Sequence, residues 1–504
     1  MTSTETRDMK KTSVIETKSG KVQGYIEDGI EIFKNIPFAE PPIGDLRFKA
    51  PVKKKPWDDV LDASEYGFNA YQGYTMLEDW FGKQEPESED CLNLNIWTPA
   101  ADSGKRPVMF WVHGGAYITG SGASPLYDGS HLTKRGDVVI VTINYRLGVL
   151  GFLNAPGSDP NAGMLDQIEA LKWIHENIEF FGGDPNKITI FGESAGAYSV
   201  LTLAASPAAK GLFKRVISQS PPPFKDQTTE KVSKSIMRKV GIKKGDLEGL
   251  KKIAPEELMK AQNKALETLT LGMSFKPMID SDTLPEPPLK VFEKGERKNV
   301  DLMIGSTLEE FKLFAAAPQF QGMDQEAMEK TVLMILGMSG IDKNKAREIV
   351  ELYKQEGGGS SLWDTFMLLL SDSMMRVHSS HYLEAQNKHQ PNTYSYVFNM
   401  KSPLLGGKLG ACHALELPFV FGTTKIPGIN KFAGKGPDVE RVSEQMMDAW
   451  IAFARTGNPN ADSIPEWPAY DIEKRSIMLF EKETKAVEKF LDKQRDIWGD
   501  ALKS

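Results

Sequence analysis

The pentapeptide Gly-Glu-Ser-Ala-Gly at residues 192–196 follows an apolar run at residues 188–191 and precedes small and apolar residues. This pattern predicts a strand, a sharp turn and a helix, with Ser194 at the turn. The flanking glycines leave the serine hydroxyl open to an incoming molecule. Such a hydroxyl is suited to attack a carbonyl carbon and to form a covalent acyl intermediate. Taken alone, the same five residues also fit an ordinary turn rich in glycine and serine.

A second motif lies upstream, where His-Gly-Gly-Ala at residues 113–116 follows the apolar run 107–112. A glycine-rich loop after a buried strand offers backbone N–H groups to the negatively charged oxygen that forms when a serine attacks a carbonyl group. The loop and the Ser194 turn occur in the chain order that hydrolases with an exposed serine require. Together the two motifs favour a hydrolase over a chance turn.

A serine hydroxyl needs a neutral imidazole to accept its proton, and that imidazole needs a carboxylate partner. Of the 7 histidines, His413 lies in a glycine-bearing loop after a predicted strand and downstream of Ser194, as the chain order requires. His113 belongs to the glycine-rich loop, where we expect it to brace the backbone. The others are predicted to lie on helices or surface loops: His131, His175, His378, His381 and His389.

The composition limits the classes of partner. The chain has 504 residues, 40% of them hydrophobic, and a net charge of −7 without a long block of Lys or Arg, so nucleic acid is not an expected partner. Residues 1–11 are polar, and no stretch approaches the ~18 apolar residues of a spanning helix. Cys91 and Cys412 are too sparse for a disulfide framework and lack metal-ligand spacing. These features predict a soluble, cytoplasmic protein with reduced thiols.

The order of the predicted elements indicates the fold class. Short apolar runs alternate with helical patterns, which predicts an α/β protein with a central, mostly parallel sheet flanked by helices. The predicted strands are 20–25, 31–36, 92–97, 108–112, 138–144, 300–305 and 393–398, and the clearest predicted helices are 162–181, 362–383 and 442–455. We expect one large domain over residues 1–504, with helical insertions at about 225–300 and 318–390 that cap the sheet.

Further short motifs are spread over residues 20–470. They are Ile36-Pro37-Phe38-Ala39, Leu46-Arg47-Phe48, Ser88-Glu89-Asp90-Cys91-Leu92-Asn93, Asn144-Tyr145-Arg146-Leu147-Gly148, Phe181-Gly182-Gly183-Asp184-Pro185 and Ala454-Arg455-Thr456-Gly457-Asn458-Pro459. This set resembles the type-B carboxylesterase family, which includes the cholinesterases and bacterial esterases that act on aryl esters. The resemblance implies the α/β-hydrolase fold, hydrolysis of carboxylic esters through an acyl-enzyme, and no metal or organic cofactor.

The same resemblance implies a catalytic triad of Ser194, Glu310 and His413. The family places a glutamate in the loop after the strand predicted at 300–305, and alignment with the family motif carries it to Glu310. The residue after this glutamate is usually glycine, but Phe311 stands there in this chain. A shift of one residue in the turn would give the role to Glu309 instead, so both carboxylates are candidates and Glu310 is preferred.

The resemblance also assigns the oxyanion-binding N–H groups to Gly115, Ala116 and Ala195. Ala116 stands where many relatives have a third glycine. We expect its methyl group to crowd the acyl side and to disfavour bulky or tertiary leaving groups. Arg47 and Glu89 correspond to a buried ion pair of the family that ties the N-terminal segment to the sheet.

The predicted function is a serine carboxylesterase that hydrolyses small-molecule esters of short-to-medium acyl chains, aryl esters included. Two alternatives stay open: a lipase acting on longer-chain esters, and a binding protein that keeps the fold without catalysis. A thiol nucleophile at Cys412 is less favoured, because small buried cysteines are more common than catalytic ones. The expected apolar walls of the substrate site, each of which would equally fit the core, are Trp80, Phe81, Met273, Phe275, Phe311 and Phe314.

Overall fold

The computed structural model describes residues 10–73, 85–223, 228–267, 274–280, 282–317, 320, 322–357, 361–499 and 501–502. The described residues form a large sheet of 12 strands and a small sheet of 3. The strands are β1 (Lys10–Lys11), β2 (Ile15–Glu16), β3 (Gly20–Gln23), β4 (Tyr25–Glu27), β5 (Ile30–Pro37), β6 (Trp57–Asp62), β7 (Asn93–Thr98), β8 (Arg106–Val112), β9 (Val139–Ile143), β10 (Gly183–Glu193), β11 (Arg215–Gln219), β12 (Asp301–Thr307), β13 (Thr393–Phe398), β14 (Ile477–Phe480) and β15 (Lys485–Val487). The large sheet has the order β1-β4-β5-β7-β9-β8-β10-β11-β12-β13-β14-β15, and the small sheet has the order β2-β3-β6.

The middle of the large sheet is parallel. Neighbouring strands from β9 and β8 through β10 to β14 all pair in parallel, and antiparallel strands flank them at both edges. Strands β8, β9 and β11 are buried almost throughout, because helices cover both faces of a parallel sheet. The predicted α/β class, with a mostly parallel sheet between helices, is confirmed.

The strand predicted at residues 20–25 is divided between the two sheets. Strand β3 ends at Gln23 in the small sheet, and β4 begins at Tyr25 in the large sheet. At Gly24 between them, a Cβ atom would lie 2.1 Å from the Ile32 carbonyl oxygen. The chain therefore passes β5 too closely for any side chain, and it changes sheet at this glycine. By contrast, β13 has the bounds that the sequence predicts.

The helices cover both faces of the large sheet. They are α1 (Ser130–Gly136), α2 (Gly148–Phe152), α3 (Ala162–Asn177), α4 (Ala195–Ala205), α5 (Thr228–Lys239), α6 (Leu247–Lys251), α7 (Pro255–Leu266), α8 (Pro288–Glu293), α9 (Phe311–Ala315), α10 (Gln325–Met338), α11 (Lys343–Glu356), α12 (Leu362–Ser371), α13 (Val377–Asn387), α14 (Leu417–Phe421), α15 (Ile429–Ala433), α16 (Pro437–Thr456) and α17 (Asp492–Trp498). Alternate residues of β8 join two hydrophobic clusters, one shared with α3 and α4 and the other with α14 and α16. The sheet therefore separates two cores.

The two predicted helical insertions contain α5 to α8 and α10 to α13. Helices α10, α11 and α12 share a hydrophobic cluster of their own with α9 and α17. The helix predicted at 362–383 is interrupted, because a π-helical turn, Asp372–Arg376, separates α12 from α13. The assignment of residues 1–504 to one domain stays a prediction. In the described part of the chain, no helix combines the length and the apolar character that a membrane crossing requires.

Candidate active site

Ser194 lies at the junction between β10 and α4, with backbone angles φ 58° and ψ −121°. Residues with side chains rarely adopt such conformations, which cost about 1–3 kcal/mol. The turn is held in part because the Ser194 N–H donates to the Gln219 carbonyl oxygen at 2.9 Å. On its inner side, a Cβ atom at Gly196 would lie 2.0 Å from the Val112 carbonyl oxygen. Only glycine lets the turn pack this closely against β8, while Ser194 itself stays partly exposed.

A short hydrogen bond joins the buried side chains of His413 and Glu310. His413 Nδ1 lies 2.6 Å from Glu310 Oε2, and the two side chains are 6% and 0% exposed. The second oxygen of this carboxylate, Oε1, accepts the Ser220 hydroxyl at 2.5 Å and the Thr307 N–H at 2.7 Å. Partners on both oxygens therefore hold the Glu310 carboxylate in one orientation, and the carboxylate in turn sets the direction of the imidazole ring.

The sheet topology brings these loops to one place. Ser194 and Ser220 directly follow β10 and β11, Glu310 follows β12, and His413 lies in the loop after β13. Parallel strands present their carboxyl ends at the same edge of a sheet, so the loops that follow them meet there. Glu310 and His413 are thus in contact although 103 positions separate them in the sequence.

Glu309, the alternative carboxylate, binds different groups. Its Oε2 accepts the Ala411 N–H at 2.8 Å and the Lys401 ammonium at 2.5 Å, and its Oε1 lies 2.7 Å from Lys312 Nζ. Burial opposes ionisation here, but Lys401 and Lys312 lower the pKa of Glu309 below its ordinary value. Of the two adjacent carboxylates, Glu310 contacts the imidazole and Glu309 contacts the backbone two residues before His413.

The other imidazole nitrogen faces a carboxylate for which the sequence motifs suggested no role. His413 Nε2 lies 3.0 Å from Glu193 Oε1, so this carboxylate directly contacts the imidazole. Among the described residues, the polar side chains that contact the imidazole are those of Glu310 and Glu193. The contacts of the imidazole in this part of the chain do not include a hydrogen bond from Ser194. Serine–histidine contacts are often long in unliganded hydrolases.

A third buried carboxylate, Glu416, lies near this pair. Burial, followed by the charges of Glu193 and Glu310, raises the pKa of Glu416 to about 8. Burial opposes the charged imidazolium, but the Glu193 and Glu310 carboxylates hold the pKa of His413 well above its ordinary value. A sequence signal exists for both additional acids. Glu193 closely follows the predominantly apolar run 188–191, and Glu416 lies between apolar residues in the segment 414–417.

The glycine-rich loop packs directly against the Ser194 turn. A Cβ atom at Gly114 would lie 2.9 Å from Glu193 Oε2 and 3.1 Å from Ser194 Cβ. Gly115 and Ala116 have positive φ angles of 105° and 53°, so the backbone departs from any regular element there. Ala195 is the first residue of α4, and N–H groups in the first turn of a helix have no partner within the helix. The three predicted oxyanion donors thus belong to two adjoining backbone segments.

Neutral groups brace this loop. The buried His113 ring stacks on the Tyr145 ring with centroids 4.5 Å apart, and the Tyr145 hydroxyl donates to the His113 carbonyl oxygen at 2.9 Å. Burial lowers the pKa of His113 to about 4, so the ring is neutral near pH 7. At the far end, the Gln72 side chain accepts the Gly120 N–H at 2.7 Å and donates to the Gly120 carbonyl oxygen at 3.1 Å. The expected bracing role of His113 agrees with these contacts, whereas no motif pointed to Gln72.

The predicted apolar walls have different positions. Phe314 is partly buried, and its ring centroid lies 5.2 Å from that of His413. Phe311 is fully buried and packs edge-on against Phe320 with centroids 5.5 Å apart, and Phe275 is also fully buried. Both therefore belong to the core. Trp80, Phe81 and Met273 lie outside the described residues.

The ion pair predicted between Arg47 and Glu89 is present in the described residues. Arg47 Nε donates to Glu89 Oε1 at 2.6 Å, and each side chain is 10% exposed, which confirms the predicted buried ion pair. Arg47 Nη1 also donates to the carbonyl oxygens of Lys251 and Ile253, so it ties the N-terminal segment to the first helical insertion. Both cysteines are buried and free.

The model of the "Carboxylesterase family" matches residues 11–498 of this sequence. The chain belongs to the carboxylesterase family. It is 38% identical over 484 residues to the para-nitrobenzyl esterase of Bacillus subtilis, with 93% of this chain and 95% of that protein covered. It is 37% identical over 483 residues to the phenmedipham hydrolase of Pseudarthrobacter oxydans, with 92% and 94% covered.

Solved structures of carboxylesterases have the same fold. A PNB esterase structure superposes with a TM-score of 0.86 at 35% identity and covers 96% of this chain and 99% of its own. The carboxylesterase of Geobacillus stearothermophilus superposes with a TM-score of 0.86 at 36% identity, with 97% and 100% covered. This carboxylesterase is therefore a carboxylic ester hydrolase with the α/β-hydrolase fold, as its motifs predict.

Proposed function

We propose that the protein hydrolyses carboxylic esters by acyl transfer to water, with Ser194 as nucleophile, His413 as base and then acid, and Glu310 as the partner of the imidazole. The observation that carries this proposal is the 2.6 Å contact between buried Glu310 and His413 at the sheet edge where the Ser194 turn lies. A carboxylate on Nδ1 selects the tautomer in which Nε2 accepts a proton.

In the first step Ser194 Oγ attacks the ester carbonyl carbon while His413 Nε2 takes the hydroxyl proton. The carbonyl oxygen becomes negatively charged, and the N–H groups of Gly115, Ala116 and Ala195 stabilise it. Backbone donors held rigidly by the fold need no reorganisation during the reaction. The C–O bond to the alcohol then breaks, His413 returns the proton to the leaving oxygen, and the acyl group stays on Ser194.

In the second step water attacks the acyl-enzyme. His413 Nε2 takes a proton from the water, a second tetrahedral oxyanion forms in the same backbone pocket, and its collapse releases the carboxylic acid. The proton on His413 returns to Ser194 Oγ, which restores the starting state. Glu310 keeps its negative charge throughout and stabilises the imidazolium that forms twice in each cycle.

The proposed substrates are short-to-medium chain esters, aryl esters included. The names of two relatives, para-nitrobenzyl esterase and phenmedipham hydrolase, support esters with an aromatic group. In this chain the Phe314 ring beside His413 offers an aromatic surface next to the reacting atoms. The Ala116 methyl group lies in the oxyanion loop and is expected to disfavour bulky or tertiary leaving groups.

We also propose a reducing, cytoplasmic location and a small-molecule rather than a nucleic-acid partner. Two buried and unpaired thiols fit a compartment that keeps cysteines reduced. The net charge of −7 opposes association with a polyanion. Fractionation of the source cells, with the protein followed by antibody, tests the location. Recovery in an extracellular fraction would contradict it.

A chain-length series of p-nitrophenyl esters, assayed with and without an emulsion, tests the substrate class. We expect kcat/KM to be highest for short and medium acyl chains and to be unaffected by an interface. Activity that rises sharply on emulsified long-chain esters would favour a lipase instead. Labelling with a fluorophosphonate provides the second arm, because a binding protein without a working nucleophile would not react. The Ser194→Ala variant is the matched control and should take up no label.

A further inference from the structure

Glu309 holds both backbone groups of one residue in the His413 loop. Its side-chain Oε2 accepts the Ala411 N–H at 2.8 Å, and its own N–H donates to the Ala411 carbonyl oxygen at 2.9 Å. The residue after Glu309 also contacts this loop, because the Glu310 carbonyl oxygen accepts the His413 N–H at 3.4 Å. The two loops therefore meet along their backbones, and Glu309 supplies the side chain that closes this contact.

The neighbouring glycine makes the approach possible. Gly410 has a φ of 55°, and a Cβ atom there would lie 2.3 Å from Glu309 Oε2 and 3.0 Å from Lys312 Cδ. Any larger residue would have to displace the carboxylate. The sequence of this loop therefore fits an acidic side chain lying directly against its backbone.

Charges secure the carboxylate from the other side. Lys312 Nζ lies 2.7 Å from Glu309 Oε1 and 2.7 Å from Asp364 Oδ1, and these three side chains are only 10–18% exposed. Lys401 Nζ, on a half-exposed side chain, is 2.5 Å from Glu309 Oε2. Removing one member of a buried charged set leaves an uncompensated charge, which is strongly unfavourable. Because Asp364 belongs to α12, the chain of contacts runs from the helical cap through Lys312 and Glu309 to the His413 loop.

We propose that Glu309 is a positioning residue for His413, and that Lys312 links this position to the helical cap. Glu310 sets the direction of the imidazole ring, and Glu309 sets the position of the backbone that carries it. The inference rests on the proposed role of His413 as the base. Displacement of a catalytic group by about 1 Å can lower a rate by up to about 100-fold, so loosening this loop has a measurable cost.

The test compares Glu309→Ala and Glu309→Gln with the wild-type full-length enzyme on p-nitrophenyl butyrate. We expect kcat per fluorophosphonate-titrated site to fall about 10-fold in Glu309→Ala, with KM unchanged within about twofold, because backbone misplacement affects proton transfer more than ester binding. Glu309→Gln retains an oxygen acceptor for Ala411 but loses both ion pairs, so we expect a smaller loss.

Two further variants separate positioning from general stability. Lys312→Met should lower kcat like Glu309→Gln, and Lys312→Arg, which keeps the charge, should restore most of it. Glu326→Gln is the control for loss of an ion pair outside this set, because Glu326 pairs with Lys330 at 2.6 Å on α10 and both side chains are exposed. We expect its kcat to equal that of the wild type.

The outcomes distinguish this inference from the proposed function. Unchanged kcat per titrated site in a folded Glu309→Ala protein would overturn the positioning role. If that variant does not fold, equal kcat values for Lys312→Met and Lys312→Arg would overturn it instead. Wild-type activity in His413→Ala would contradict the proposed function itself, whereas an inactive His413→Ala with a fully active Glu309→Ala would contradict only the inference.

Discussion

The two loops that complete the site around Ser194 are held by different kinds of interaction. The oxyanion loop, residues 113–120, is fixed by ring stacking on Tyr145 and by the neutral amide of Gln72. The His413 loop is fixed by carboxylates and ammonium groups, among them Glu310 and Glu309. One loop thus depends on contacts that do not titrate near neutral pH, and the other depends on charges.

The difference fits the role that we propose for each loop. Backbone N–H groups stabilise an oxyanion best when they are rigid, so neutral contacts that keep the same strength over a wide pH range suit them. In the proposed mechanism the imidazole of His413 gains and loses a proton in each step, and nearby carboxylates stabilise its charged form. The described residues around it include the three buried acids Glu193, Glu310 and Glu416. We therefore expect pH to act on the His413 side of the site.

The largest expected effect comes from the residue between the two loops. Ser194→Ala deletes only the proposed nucleophilic oxygen, so kcat should fall by about 10⁴-fold or more while both loops keep their contacts. Esterase rates and thermal melting, measured on the same preparation, check this. Near-normal turnover by a folded variant would exclude Ser194 as the nucleophile.

The next largest effect should come from the carboxylate on the imidazole. Glu310→Gln keeps the shape of the side chain but removes the charge and the tautomer control, so we expect kcat to fall by about 10³–10⁴-fold, as in other triads. Glu309→Gln should cost far less. The two variants are compared by kcat at matched folding stability. A severe loss in Glu309→Gln with little change in Glu310→Gln would transfer the role to Glu309.

In the oxyanion loop, which neutral groups hold, Gln72→Ala removes both hydrogen bonds to Gly120. We expect kcat to fall about 10-fold, since the oxyanion donors lose rigidity but are not deleted. The pH at which kcat/KM rises should stay the same, because no titrating group near His413 is changed. Full pH profiles of variant and wild type check both points. A shift of the acidic limb would contradict the separation between the two loops.

Near the His413 loop, which charged groups hold, Glu193→Gln should move the acidic limb of the profile of kcat/KM against pH to lower pH. The Glu193 carboxylate raises the pKa of His413, so its removal lowers that pKa. The neutral imidazole that acts as base is then present at lower pH. Initial rates from about pH 5 to pH 9 measure the shift. A limb that moves to higher pH, or does not move, would show that Glu193 does not act on the imidazole.

The smallest effect on rate is expected for Glu416→Gln, where stability is the readout. Burial and neighbouring charges raise the pKa of Glu416 from 4.5 to about 8, so between these values the folded state holds a proton that the unfolded state has released. Raising the pH through this window therefore destabilises the wild type through this group. A glutamine cannot ionise, so the melting temperature of the variant relative to the wild type should rise between about pH 5 and pH 8. A constant difference over this range would contradict the prediction.

Much of this site can be predicted from short motifs because it depends on local backbone geometry. The turn at Ser194, the loop at Gly115 and Ala116, and the helix that begins at Ala195 each need particular residues at fixed spacing. His413 can be selected among the histidines by its loop and its place in the chain. The need for glycine at Gly24 cannot be predicted from local sequence, because it is the neighbouring strand β5 that excludes a side chain there.

Periodicity and turn chemistry act over a few residues, so the sequence alone predicts the mostly parallel α/β fold, the strained serine turn and the glycine-rich loop. The family follows from the resemblance of its short motifs. Tertiary contacts determine which of Glu309 and Glu310 meets the imidazole, and they bring Glu193 to its other nitrogen. The direction of a loop side chain depends on partners far away in sequence, such as His413, which lies 103 positions from Glu310. Spacing along the chain does not encode that direction, because both carboxylates reach the same edge of the sheet and only their contacts with the His413 loop distinguish them.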